Sequence, residues 1–111
     1  MRANTKIFIS QPMTNLSKDE ILDRRKEIVK KIKELNENFI IPETYLDSYE
    51  EMQSEDLNIF VNVPLLFLSK SIEVLSKCQF AYFSKGWENS RGCKIEYECA
   101  KKYGITIIIE T

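Results

Sequence analysis

The sequence predicts one α/β domain, a three-layer doubly wound parallel sheet of about four strands in the order 2-1-3-4. Two observations and one rule of handedness predict it. Short β-branched and aromatic runs alternate with longer amphipathic stretches, the pattern of βαβ units. Crossovers in such units are right-handed and place helices on both faces of a parallel sheet. The last run, Ile105-Thr106-Ile107-Ile108-Ile109, is apolar enough to read as a strand buried on both faces. With 111 residues, 43% of them hydrophobic and 30% charged, the chain can bury one soluble core.

Residues 6–10 (Lys6-Ile7-Phe8-Ile9-Ser10) read as the first strand, broken by Gln11-Pro12-Met13-Thr14-Asn15. Ser17 and Glu20 then stand at capping-box spacing and open a helix that runs to about Leu35. Ile21, Ile28, Ile32 and Leu35 form its apolar stripe, and most of its cations face water. Residues 39–41 before Pro42 read as a short second strand near an edge. The acidic stretch 43–57 reads as a solvated loop, with a lid or subunit contact as the sharper alternative.

Residues 57–63 are apolar but interrupted by asparagines, a loop or short helix. Pro64 suits the first turn of a helix to about Lys77, with Leu65, Leu68, Ile72 and Leu75 on its buried face. Residues 79–84 form the third strand. A central helix spans about Arg91 to Tyr103, Gly104 follows as its C′ residue, and residues 105–109 form the fourth strand. Ile95 and Cys99 mark that helix's buried stripe, with Glu96 beside it.

Composition removes several function classes. The formal net charge is −1, without the basic face that a nucleic-acid polymer would need. No apolar run reaches signal-peptide or membrane-span length, so the expected place is the cytoplasm, with no membrane contact. The chain has no histidine, which excludes Ser-His-Asp and Cys-His catalysis and histidine-bound metals. Cys78, Cys93 and Cys99 lack zinc spacing and read as buried reduced thiols. No metal and no cofactor are expected, and neither dinucleotide nor P-loop glycine motifs occur.

The loops after the first and third strands should converge. In a 2-1-3-4 sheet those strands are neighbours, and ligands bind at the switch point beyond their carboxyl ends. The candidate binding residues are therefore Ser10, Gln11, Pro12 and Met13 from one loop, with Gly86, Trp87, Asn89, Arg91 and Gly92 from the other. Trp87 either covers the sheet end or a subunit contact, or it offers a flat wall to a base or sugar. Arg91 opposes the helix dipole unless it meets a phosphate or carboxylate. Glu96 is the candidate nucleophile or general base.

These residues carry a family resemblance. Ile7-Phe8-Ile9-Ser10-Gln11-Pro12-Met13 and Gly92-Cys93-Lys94-Ile95-Glu96 with Ala100 resemble the first loop and the glutamate signature of the nucleoside 2-deoxyribosyltransferase superfamily, in particular its short bacterial and phage branch. The resemblance implies a flavodoxin-like sheet, a homo-oligomer and a nucleoside or nucleotide as small-molecule substrate. It implies cleavage of the N-glycosidic bond through a covalent glycosyl-glutamate on Glu96, resolved by a new base (a transferase) or by water (a hydrolase). Ser71 falls about where many members hold an aspartate that assists the leaving base. Phe8 stands where many carry a tyrosine, Asn89-Ser90 near a sugar-gripping aspartate, and Glu98 at the usual glycine. The alternatives are a non-catalytic nucleotide-binding module on the same fold, or an interaction protein using 43–57.

Overall fold

A computed structural model describes residues 5–42 and 62–111. The acidic stretch 43–57 expected as loop, lid or contact lies outside the described residues. The architecture is mixed α/β: a small open parallel sheet of three strands with helices on both faces.

Strand β1 (Ile7–Ser10) is buried at every residue. Helix α1 (Lys18–Leu35) starts where the capping box places it. Glu20 N–H donates to Ser17 Oγ (3.1 Å) and Ser17 N–H donates to Glu20 Oε1 (3.2 Å). Ser17→Ala removes one half of this exchange and is expected to cost about 1 kcal/mol in urea denaturation, without changing the slope of the transition. Ile21, Ile28 and Ile32 are buried as expected, but Leu35 is 61% exposed. The chain leaves the helix at Asn36, and Phe39 joins Ile28 and Ile32 in the core instead.

The expected second strand is a single parallel bridge, Lys6 to Ile40. Its bonds run from Ile7 N–H to Ile40 O and from Ile40 N–H to Thr5 O. Pro42, which has no N–H to donate, follows two residues later.

Helix α2 (Val63–Leu75) is capped by Asn62, whose Oδ1 accepts from Leu65 N–H at 3.0 Å. Its inner face is the expected one in part: Leu75 is buried and Ile72 packs against the core. Ser71 is buried as well, while Leu65 is 60% exposed. The helix is apolar nearly all round, so spacing alone does not fix its rotation. Strand β2 (Phe80–Phe83) follows, then one 3-10 turn (Trp87–Asn89), helix α3 (Arg91–Lys102) and strand β3 (Thr106–Ile109).

All pairing is parallel, in the order β1-β2-β3, with Ile7 beside Phe80 and Phe80 beside Thr106. Alternation divides the core. Ile7, Ile9 and Tyr82 meet Ile28 and Ile32 of α1 on one face. Phe8, Ala81 and Phe83 meet Leu75 of α2 and Ala100 of α3 on the other. Strand β3 was expected to be buried on both faces. Instead, Thr106 and Ile109 are exposed and Ile107 and Ile108 are half-buried. Among the described residues it has a sheet neighbour on one side only, so the helical layers cover it incompletely. Among the described residues, no helix is long and apolar enough to cross a membrane.

Candidate functional site

Strands β1 and β2 end side by side, Ser10 against Phe83, and Ser84 N–H donates to Ser10 O at 3.0 Å. The two loops that follow therefore leave the sheet together. They touch: a Cβ on Gly86 would lie 3.6 Å from Pro12 Cγ. Gly86 sits at φ +89°, a left-handed conformation that side chains disfavour, and it turns the chain into the 3-10 turn. Ser90 then caps α3, its Oγ accepting from Cys93 N–H at 3.4 Å.

A cavity of about 850 Å³ opens at the start of α3. Gln11, Met13, Ser71, Asn89, Arg91 and Glu96 stand on its wall, with Gly92. Nothing lies within 4 Å of a Cβ built on Gly92, so the first turn of α3 is open there. Free N–H groups and the positive end of the helix dipole meet in that turn. Arg91 is exposed beside it.

The inner stripe of α3 is Cys93, Glu96 and Ala100. The apolar pattern puts Ile95 and Cys99 there, but Ile95 is 40% exposed on the cavity wall and Cys99 is half-buried. The helix is rotated by one residue, about 100°, so that Glu96 points inward. The residue is only 7% exposed. Ser10 Oγ donates to Glu96 Oε1 at 2.6 Å, and the Ser71 hydroxyl also hydrogen-bonds this carboxylate. Burial pushes the Glu96 carboxyl up to about 7, while the two serine hydroxyls pull it the other way. The group is thus divided between acid and carboxylate near neutral pH.

Cys93 lies against the same group. Burial raises its thiol, the hydroxyls of Ser10 and Ser90 lower it, and the charge of Glu96 raises it. Cys78 is buried as well and is pushed up to about 11, mainly by desolvation. Neither is an activated thiolate.

The structure thus brings Gln11, Met13, Ser71, Asn89, Arg91, Gly92 and Glu96 to one cavity, with Ser10 directly behind the carboxylate. It does not bring Trp87 there. The Trp87 indole stacks on Tyr97 (4.4 Å between centroids, 23°) and tilts against Phe83. It covers the sheet end, the first of its two sequence readings. Pro12 and Gly86 brace loop against loop and are not part of the cavity wall.

The role of Ser10 as a donor to Glu96 was not assigned from sequence. One signal could have found it: Ser10 is the small polar end of a strand whose alternation puts it on the same face as Phe8. Ser10→Ala is expected to raise the Glu96 titration midpoint by about one pH unit, read from the carboxyl 13C shift, because the charged form loses its best donor.

A second buried carboxylate, Glu110, lies just beyond β3, on the α1 side of the sheet. It accepts from Lys31 Nζ (2.7 Å), from Lys85 N–H (2.8 Å) and from the Arg24 guanidinium. Its place at the end of an isoleucine run was the only sequence signal.

No curated protein and no solved structure matches the chain. Residues 5–109, nearly its whole length, match the family described as Domain of unknown function (DUF4406), and the chain belongs to that family.

Proposed function

We propose that this chain is a nucleotide-directed N-glycosidase resembling the nucleoside 2-deoxyribosyltransferase superfamily. One observation carries the reading: Glu96, buried on the wall of an open cavity, is held by Ser10 and Ser71 and titrates near neutrality. A carboxylate perturbed by burial in a cleft is a candidate for chemistry.

In the proposed mechanism Glu96 is the nucleophile. Its carboxylate oxygen bonds to C1′ as the C1′–N bond breaks, and the electron pair leaves with the base nitrogen, which takes a proton from water. Water then attacks C1′, releasing the sugar and restoring the carboxylate; a second base in place of water would make the reaction a transfer. Ser10 and Ser71 fix the attacking oxygen, and such orientation supplies much of the acceleration. Asn89 and Arg91 hold the sugar and a 5′-phosphate at the first turn of α3. None of these steps requires a metal or cofactor.

The same reading includes a flavodoxin-like, doubly wound sheet of four strands, order 2-1-3-4. The parallel bridge between Lys6 and Ile40 supports 39–41 as the outer strand beside β1. It also includes a cytoplasmic homo-oligomer.

A second reading, a non-catalytic nucleotide-binding module, is favoured by one observation. Among the described residues, Glu96 is the only carboxylate on the cavity wall, so none there can protonate the leaving base. Liquid chromatography of deoxynucleosides and their 5′-monophosphates, incubated with the wild type and Glu96→Ala, separates the two. Free base with the wild type alone supports the N-glycosidase. Thermal stabilisation by nucleotides without free base supports the binding module and overturns catalysis.

A further inference from the structure

We infer that Gln11 determines specificity in this cavity, its side-chain carbonyl accepting a hydrogen bond from an amino-substituted base. The inference rests on the nucleotide reading above and names which bases that site takes.

Gln11 is 7% exposed and stands on the cavity wall. Its Nε2 donates to the backbone carbonyl of Ile21 at 3.1 Å. A carbonyl can only accept, so this bond fixes which end of the amide faces α1. The end left over is Oε1, and it has no hydrogen-bond partner among the described residues. Buried acceptors are almost always satisfied, because leaving one unmade forfeits its hydration without return. A carbonyl held in place by its own amide and left without a donor is a half-built contact, which a ligand donor would complete.

The layout of the cavity assigns that donor to the base. The first turn of α3 and Arg91 suit the anionic end of a nucleotide. The anomeric carbon has to reach Glu96. What remains is the α1 end, where Gln11 stands with Met13 and Ile21. Thr14 and Arg25 also line that end; between them, the apolar side chains of Met13 and Ile21 with one fixed acceptor fit a flat heteroaromatic ring carrying an amino group. A ring without that group would leave Oε1 buried and unpaired, which is how a polar site rejects an analogue.

The test uses the full chain and two probe pairs, read by titration calorimetry and thermal shift. Deoxyadenosine 5′-monophosphate is compared with the purine deoxyriboside 5′-monophosphate that lacks its amino group. Deoxycytidine 5′-monophosphate is compared likewise with its des-amino pyrimidinone analogue. The wild type should bind one amino nucleotide at least about tenfold tighter than its des-amino partner. In Gln11→Met, of similar length and apolar, that ratio should fall to about one. The variant should melt no lower than wild type, since it loses the unpaired acceptor and Ile21 keeps its carbonyl in α1.

Nucleotide binding without discrimination in the wild type, or discrimination that survives Gln11→Met, overturns the role of Gln11 alone. Should Gln11→Met fail to fold, the wild-type comparison decides by itself. Binding of none of the four probes would overturn the nucleotide reading and this inference with it.

Discussion

Glu96→Gln is expected, on the N-glycosidase reading, to abolish base release, by on the order of a thousandfold or more, and to make the folded protein more stable above neutral pH. An amide oxygen is too weak a nucleophile to displace the base, yet the side chain keeps its shape and can still accept from the Ser10 hydroxyl, so the fold and cavity should survive. The stability gain follows from linkage. The folded carboxyl titrates at about 7 against an ordinary value of 4.5. Below 4.5 both folded and unfolded chains hold the proton, and burial costs nothing through this group. As pH rises from 4.5 to 7, the unfolded chain releases its proton first, and folding loses up to about 3 kcal/mol. Above 7 the penalty is complete. The glutamine variant carries none of it, so its advantage over wild type in urea denaturation should be larger at pH 8 than at pH 5. Under the proposed mechanism only the carboxylate attacks, so wild-type kcat/KM should rise with pH up to about 7 and then level. A variant that still releases base at near wild-type rates would remove Glu96 from the mechanism. One whose stability runs parallel to wild type with pH would show that the buried carboxyl is not strained by its surroundings.

The same feature explains what the sequence made legible and what it hid. Apolar periodicity located the elements, and a capping box fixed the start of α1 at Ser17. Convergence of the loops after β1 and β2 followed from alternating strands and helices, and it brought Gln11 and Arg91 to one cavity. Rotation of the helices about their axes was not legible. On α3 the rule that apolar residues face inward selects Ile95 and Cys99, whereas the inner stripe is Cys93, Glu96 and Ala100. On α2 the same rule selects Leu65, whereas Ser71 turns inward to the carboxylate. Both errors occur where two polar side chains satisfy each other in the interior, and no single-residue preference records such a pair. Trp87 misleads in the opposite sense. A lone tryptophan in a loop beside a cleft resembles a ligand wall, but its aromatic partner Tyr97 arrives from the next helix, ten residues on.

Glu110→Gln is expected to lower stability by about 3 kcal/mol and to leave base release at neutral pH unchanged, since Glu110 is no part of the cavity wall. The Glu110 side chain is 2% exposed. Burial alone would raise its carboxyl. The Lys31 ammonium, the Lys85 N–H and the Arg24 guanidinium outweigh burial and hold it at about 2. The cluster joins three parts of the chain: the end of β3, helix α1, and the turn after β2. The Tyr82 hydroxyl bonds the same carboxylate and is pushed up to about 12, by burial first and then by the charge and hydrogen bond of Glu110. An amide would leave Lys31 without this counter-charge and Arg24 with only the exposed Glu27 carboxylate, 3.1 Å away. Here linkage runs opposite to that of Glu96. The folded pKa is depressed, so the contribution is fully present above about 4.5 and is lost as pH falls from there towards 2. Wild type should therefore lose stability steeply on acidification over that range, and Glu110→Gln should be flatter there. Below pH 2 the two proteins should converge. A variant whose stability at pH 7 matches wild type would reduce the cluster to a surface ion pair of little consequence. One that fell as steeply in acid would assign the acid sensitivity to other carboxylates.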